Sequence, residues 1–582
     1  MSISESAHTP SWHLYLLAFV GLFRFYNLGF LDLQAWDEAL YTVRAQAIIR
    51  FGEWIDQSAL AIDGLYSSLH PPLYVWLTAF MFQLFGEEEW SARFISALAG
   101  AATLPIIALL GKRLANPETG LVAALFFGLN PFVTFFARQG QLDSLLVFLL
   151  TLSVYYFVKA LEEEGPKAPL LAGLTLGLAL MTKLFVAFVI PAAVFLFVIR
   201  GTNRPGKIVI VRLVTALAVA ATISIPWHAF MALTYADGNP LFFFVQSSLM
   251  EEALYGIEGH VQPLGILYYI NQIIVLLPAA AFLFFSGVRE FHTSRDSTAG
   301  LLWSLFILLF LISSLMKTKL AVYTLPMLVP ISLLAATVLW NHVVKPFQRK
   351  SWFLLMAGTS FFLIWSFSQE CRTAVKDVLR SLLSFQMAEM ESMLLTGLLT
   401  GSGIMAIAFT YWMISRPWFP EMRRHIVIIL LALPGGFTVI NVAVNDSTRY
   451  KDGANEVASF VEARGFRRIV VAGSGRNSQL TYYLDGADID WRNDISVRRI
   501  IPPSSHTAYT AWLTDELVGE PSTTLLLIEK DRFIRHQTID PQHFVPIDYE
   551  LVLDTRRYSA YLRPPADLLA SLIQEPSNDP PR

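Results

Sequence analysis

The stretch LDLQAWDEALY, Leu31 to Tyr41, follows directly on the apolar run LYLLAFVGLFRFYNLGFL, Leu14 to Leu31. Two adjacent acids, Asp37 and Glu38, therefore sit where a first membrane helix should end. Ionised carboxylates are costly at membrane depth unless they face water or serve chemistry. The side of the membrane on which this pair falls decides how the rest of the chain is read.

The chain has 582 residues, of which 54% are hydrophobic and 15% charged, and its mean hydropathy is +0.50. That composition is foreign to a soluble protein of this length and marks a polytopic α-helical membrane protein. A net charge of −3 gives no ground for a nucleic-acid partner. The single cysteine, Cys371, cannot form an intramolecular disulfide, and no CxxC or Cys/His cluster suggests a structural zinc site. The first apolar run, from about Trp12, has no small-residue cleavage pattern after it and reads as a retained helix.

A crossing needs about 20 apolar residues. Fourteen runs qualify: 12–31, 70–86, 91–111, 119–136, 143–161, 168–182, 184–200, 208–230, 263–287, 299–316, 320–341, 352–368, 393–414 and 425–443. Basic residues gather in six loops, around Lys112, Lys159, Arg200, Arg289, Lys345 and Arg416. The positive-inside bias puts all six on one side only if one early run does not cross. The run 70–86 is short, opens with HPP and closes with FGEEEW, so it is expected to lie at the interface. About 13 transmembrane helices remain, with the N-terminus cytoplasmic and the C-terminus outside.

On this count 1–447 is a transmembrane domain whose segment 32–90 is a long external loop with juxtamembrane helices. Leu40, Ala47, Ile48 and Phe51 recur at helical spacing, which predicts an amphipathic helix over 37–51 lying on the membrane. Asp143, Lys183, the 231–262 loop with Glu251, Glu252 and His260, and the pair Lys317 and Lys319 fall on the same face. After Thr448 the composition changes: ANEVASFVEARGFRRIVVAGSGRNSQLTYYLDGA reads helix, strand, Gly turn, helix. STTLLLIEK and DYELVLDTRRYSAYLRP read as strands. A soluble external α/β domain is thus expected over 448–573, and 574–582 has the composition of a disordered tail.

Several motifs together resemble one family, the ArnT-like and protein O-mannosyltransferase-like glycosyltransferases of the GT-C fold. WDEALYTVRAQAIIRFGEWI is similar to the family's D-E-x-x-Y helix in the first external loop. HPPLYVWLTAFMFQLFGEEEWSARFISALAGA is similar to its (K/H)-P-P-L-x-x-W-L…L-F-G…E…A-R…S-A-L-A-G signature, with His70 in the first position. RQGQLDSLLVF, ALMTKLFVAFVIP, YGIEGHVQPLGILYYI and KTKLAVYTLPMLVPISLL follow in the family's order. The resemblance implies a membrane enzyme that takes a sugar from an undecaprenyl or dolichyl phosphate and gives it to a lipid, glycan or protein acceptor. It also implies residence among the lipids of a membrane, for a bacterium the inner one, with site and C-terminal domain facing the periplasm. The chain departs from the pattern in places. Ala39 and Leu40 stand where relatives often carry Pro and Arg, and Arg44 lies one turn on as a substitute. Leu69 stands where the aminoarabinose transferase of lipid A has an acid that helps hold a metal. Leu184 replaces the Gly after T-K.

Glycosyl transfer needs a base for the acceptor and stabilisation of a departing phosphate. A partly desolvated carboxylate suits the first role, and Asp37 is the candidate; the alternative for Asp37 is a helix N-cap. Glu38 either orients substrate or Asp37 or favours the helix N-terminus. Asp143 begins a crossing, where capping competes with the acceptor or sugar role that the resemblance implies. A phosphate needs cations. Lys183, Arg138, Arg44, Lys317 and Lys319 are candidates, each against the alternative of snorkelling to the interface. Tyr41, Tyr323 and His70 match family positions that contact substrate, with an aromatic belt as the alternative for the tyrosines. His260 in EGH is a candidate sugar or metal contact without a partner at ligand spacing, so a divalent metal ion is left open and no cofactor follows from the sequence. A competing function is a transporter or flippase of lipid-linked sugars. Transporters show inverted repeats and broken midplane helices; no repeat is seen here and the acids cluster at one face.

Overall fold

The computed structural model describes residues 11–34, 37–55, 57, 71–163, 165–200, 206–235, 265, 267–293, 298–341, 453–472, 478–486, 496–500, 513, 517, 524–530, 545, 549–555 and 558–563. The crossings read at 352–368, 393–414 and 425–443 lie outside these residues. In chain order the helices are α1 (Ser11–Leu22), α2 (Asp37–Phe51), α3 (Leu73–Phe85), α4 (Glu89–Leu114), α5 (Pro117–Gly128) and α6 (Pro131–Ala137). Then come α7 (Asp143–Glu162), α8 (Lys167–Leu180), α9 (Leu184–Ala187), α10 (Val189–Ile199), α11 (Gly206–Tyr235), α12 (Leu267–Leu276), α13 (Pro278–Ser286), α14 (Val288–Thr293) and α15 (Thr298–Leu315). A 3-10 turn (Ala321–Thr324) leads into α16 (Leu325–Leu339), and α17 (Ala454–Arg464) and α18 (Ser478–Gly486) follow. The chain divides into two compact units, Met1–Tyr26 with Ile95–Asn445, and Asn27–Phe94 with Asp446–Arg582.

The first unit is an apolar helix bundle. Among the described residues five helices are long and apolar enough to cross a membrane, or six if α5 and α6 form one bent span. The run read as one crossing over 119–136 is in fact bent by 70° between α5 and α6. The break falls at Asn130–Pro131: Pro cannot supply a helical N–H, and the Asn130 carboxamide caps the new helix, accepting from the Phe132 and Val133 amides at 2.9 and 3.2 Å. Helix α8 packs along α7 and α11. Gly173 and Gly177, one turn apart on α8, allow it: a Cβ at Gly173 would lie 2.5 Å from the Ala216 carbonyl oxygen of α11. The other side of α11 presents Ile208, Ile210, Val211, Val214, Ile225 and Leu233, all exposed, as a lipid-facing helix does.

The second unit joins the segment 27–94 to the C-terminal α/β fold. Five strands, β1 (Arg468–Ala472), β2 (Ser496–Ile500), β3 (Leu525–Glu529), β4 (Glu550–Asp554) and β5 (Tyr558–Leu562), form one sheet in the order β2-β1-β3-β5-β4. The first three are parallel; β5 and β4 form an antiparallel hairpin on β3. Side chains alternate by face. Val470, Ala472, Leu526, Ile528 and Tyr561 pack with Leu513, Leu517, Val545 and Tyr549 in one core. Helix α2 packs against α3 and α18. Its bounds match the sequence reading, but its environment differs from a helix with one face on a membrane: Glu38, Thr42, Arg44 and Gln46 are buried along with Ala47 and Ile48.

Candidate active site

In the second unit the two acids of the opening stretch part company. Asp37, the first residue of α2, is exposed. Glu38 is wholly buried and its carboxylate is held by Arg93 of α4, Nε to Oε1 at 2.7 Å and Nη2 to Oε2 at 3.0 Å. The Gln34 amide donates to the same Oε2 at 2.7 Å. The remaining donors of Arg93 go to backbone carbonyls: Nη1 to Leu28 at 2.9 Å and Leu31 at 2.8 Å, and Nη2 to Asp32 at 3.0 Å. One guanidinium thus holds three carbonyls of the chain leading into Asp37 and the carboxylate just after it, the bidentate fork being suited to the carboxylate.

Other candidates on α2 point into this unit. Arg44 is fully buried and donates from Nε and Nη2 to the Gln57 carboxamide oxygen at 3.0 and 2.6 Å. Its guanidinium lies 5.9 Å from the Tyr41 ring centroid, and Tyr41 in turn meets Tyr74 edge-on at 5.7 Å. His70 lies outside the described residues.

The C-terminal fold reaches the same loop. From α18, Tyr483 accepts a hydrogen bond from the Leu33 amide at 2.9 Å and donates to the Glu89 carboxylate at 3.1 Å. Gln479, one turn earlier, donates to the Leu33 carbonyl. The Gly453 amide donates to the Asp32 carboxylate at 3.0 Å. Burial first, and then the carboxylates of Glu89 and Asp32, push the Tyr483 phenol far above its ordinary range, so it stays a neutral hydroxyl.

In the first unit Asp143, Lys183 and Tyr323, which lie far apart in sequence, come together. Asp143 opens α7 and Lys183 precedes α9; their side chains are 3.3 Å apart. The Lys183 ammonium sits 5.4 Å from the centroid of the Tyr323 ring. These three groups and Ser313 are the polar members of a partly open cleft of about 210 Å³, otherwise walled by Leu146, Phe185, Val186, Val189, Leu309, Ile312, Met316, Val322 and Pro326. The arrangement offers a cation and a carboxylate to a polar head and hydrocarbon walls to an apolar tail.

Two predicted cations are engaged elsewhere in this unit. Lys319 donates to the carbonyls of Ser313 at 3.2 Å, Ser314 at 2.7 Å and Met316, capping the end of α15, where a cation is favoured. Burial lowers its ammonium from the usual lysine value. Arg138 donates from Nη1 to the carbonyls of Phe23, Arg24 and Tyr26 at 3.2, 3.4 and 2.6 Å, holding the turn after α1. Lys317 is exposed beside Lys319. His260 and the acids Glu251 and Glu252 lie outside the described residues, and among the described residues no three His, Cys, Asp or Glu side chains gather as a metal site would require.

Sequence reasoning passed over Arg93, Tyr483, Gln479 and Asp32. Arg93 had a signal: a charged residue early in the apolar run 91–111 is expensive and so has a reason to be there. The residues of α18 had none, since their partner is about 450 positions away.

Comparison with known proteins agrees with the sequence resemblance. A family model described as dolichyl-phosphate-mannose-protein mannosyltransferase matches residues 69–230. The undecaprenyl phosphate-alpha-4-amino-4-deoxy-L-arabinose arabinosyl transferase 1 of Pseudomonas fluorescens is 28% identical over 353 residues, 59% of this chain and 59% of that one. The chain therefore spans less than two thirds of the length of that relative. Among solved structures, ArnT from Cupriavidus metallidurans bound to undecaprenyl phosphate superposes with a TM-score of 0.66 at 16% identity, covering 96% of this chain and 99% of that one. The archaeal oligosaccharyltransferase AglB from Archaeoglobus fulgidus, in complex with an inhibitory peptide and a dolichol-phosphate, gives 0.53 at 12% identity, covering 91% and 70%. The chain is an integral membrane protein of the GT-C fold, similar in sequence over more than half its length to undecaprenyl-phosphate aminoarabinose transferases and over residues 69–230 to the dolichyl-phosphate-mannose-protein mannosyltransferase family.

Proposed function

We propose that this chain is a membrane glycosyltransferase that moves a sugar from a polyprenyl phosphate to a lipid, glycan or protein acceptor on the external face of a bacterial inner membrane. The observation that carries the reading is the apolar cleft with Lys183, Asp143 and Tyr323 at its polar end. A phosphate on a long isoprenoid tail is the ligand whose two chemistries match it, and the relatives' names and the undecaprenyl phosphate in the Cupriavidus structure support that choice. The thirteen crossings and the outward C-terminal domain belong to the same proposal.

In the reaction the bond between the anomeric carbon and the carrier phosphate breaks, and a bond from the acceptor oxygen or nitrogen to that carbon forms. The acceptor's proton passes to the Asp37 carboxylate, which is exposed to receive it. The bonding pair leaves with the phosphate, whose added charge Lys183 stabilises as the cation exchanges Asp143 for the new anion. Glu38 has no part in proton transfer: its ion pair with Arg93 makes it a positioning residue for α2. Arg44 and Arg138 act likewise through Gln57 and the turn after α1.

Asp37→Asn tests the reading. Transfer of labelled sugar from an undecaprenyl-phosphate donor should fall by about 100- to 10,000-fold, the range for removing a general base, with carrier binding retained. Full activity in this variant would remove Asp37 from the mechanism.

A further inference from the structure

The loop that leads into Asp37 is gripped from two sides. From α4, Arg93 takes the carbonyls of Leu28, Leu31 and Asp32. From the C-terminal fold, both backbone groups of Leu33 are taken by one helix: its amide by Tyr483 and its carbonyl by Gln479. Positions 479 and 483 are four apart, so both side chains leave α18 on one face and straddle a single peptide. The grip continues into the sheet. Tyr558 of β5, fully buried, donates to the Gln479 carboxamide oxygen at 3.1 Å and so fixes which end of that amide meets Leu33. Gly453, just before α17, holds the Asp32 carboxylate by its amide. Its φ of 89° belongs to glycine, and an added Cβ would lie 2.3 Å from Thr555 Cβ, so this contact too is built to one geometry.

A helix docked only to cap a site has no need to satisfy a loop peptide four residues before an acid. We propose that the C-terminal α/β fold is a positioning element for the reaction, with Tyr483 and Gln479 as positioning residues that fix Leu33 and, through it, the start of α2 and the Asp37 carboxylate. The inference rests on the glycosyltransferase reading for its chemical consequence, but the holding of the loop can be measured without any reaction. Displacing a catalytic group by about 1 Å costs up to about 100-fold in rate, and losing one buried hydrogen bond is worth about tenfold.

The experiment uses the full chain in lipid nanodiscs, as wild type, Tyr483→Phe and Tyr558→Phe. Amide hydrogen exchange is followed across residues 31–38, together with steady-state transfer from an undecaprenyl-phosphate-linked sugar. Tyr483→Phe should raise exchange at Leu33 about tenfold and lower kcat about tenfold, with KM for the carrier changed less than about twofold. Tyr558→Phe, which removes the hydrogen bond to the Gln479 carboxamide, should shift exchange and kcat in the same direction by less. Unchanged exchange at Leu33, or a raised KM with kcat intact, overturns the inference. If the wild type transfers sugar from no polyprenyl carrier, the glycosyltransferase reading fails, and with it the catalytic consequence; exchange at Leu33 then still decides whether α18 holds the loop.

Discussion

Replacing Glu38 by alanine separates its two readings. The carboxylate accepts three hydrogen bonds, two from Arg93 and one from the Gln34 amide, and both members of the ion pair are buried. Alanine leaves Arg93 with three carbonyl partners and a charge without its counter-ion. Breaking one side of a buried pair costs about 3–5 kcal/mol. In a unit of about 200 residues each kcal/mol moves Tm by roughly 2–4 °C, so the loss should be about 6–20 °C. Limited proteolysis of the purified protein against temperature reads this directly, because the cut sites opened first should lie near the loop before Asp37. The double variant Glu38→Leu with Arg93→Met removes both charges and should recover much of the loss. If Glu38→Ala melts as the wild type does and yet transfers no sugar, Glu38 works on substrate and its assignment as a positioning residue is wrong.

Lys183→Ala should raise KM for the lipid-linked donor about 10- to 100-fold, since a hydrogen bond to a charged group is worth about 1.5–3 kcal/mol, and Lys183→Arg should recover part of this; an unchanged KM would place the phosphate elsewhere. Ile312→Trp puts a ring into the cleft from a half-exposed position that the fold can tolerate. It should weaken a full-length carrier about tenfold, the burial of about two methylenes, and spare a short-chain analogue; equal losses for both would deny the tail this cleft. A reporter fused after Tyr450 should be scored outside the cytoplasm, and a cytoplasmic signal would overturn the thirteen crossings.

What the sequence made legible was local. The bounds of α2 came from Asp37 and the spacing of Ala47 and Ile48, and the short helix after HPP came from its flanks. The crossing count put Asp143 and Lys183 on one face and a family motif singled out Tyr323, but that the three meet was not legible, because nothing in spacing says that residues 143, 183 and 323 share a cleft. The bend at Asn130 was written in the Asn-Pro dipeptide, which a hydropathy window averages away. The role of Glu38 was illegible because it depends on Arg93, 55 residues on, and a charged pair reads the same whether it faces water or its partner. The burial of α2 was missed for a related reason: α18, which packs against it, belongs to a segment that reads as a separate domain.

The 450 residues between Leu33 and Tyr483 also set an order in time. A ribosome adds about 5–20 residues per second. The loop that carries Asp37 therefore waits roughly 20 to 90 s after its own synthesis before the helix that grips it exists. During that interval the apolar bundle is already being laid into lipid. On the proposed function, a half-made chain would carry its acid still unplaced, so full activity would arrive only with the last part of the polypeptide, and a ribosome that stalls before α18 would leave behind a membrane protein whose loop lacks its second anchor.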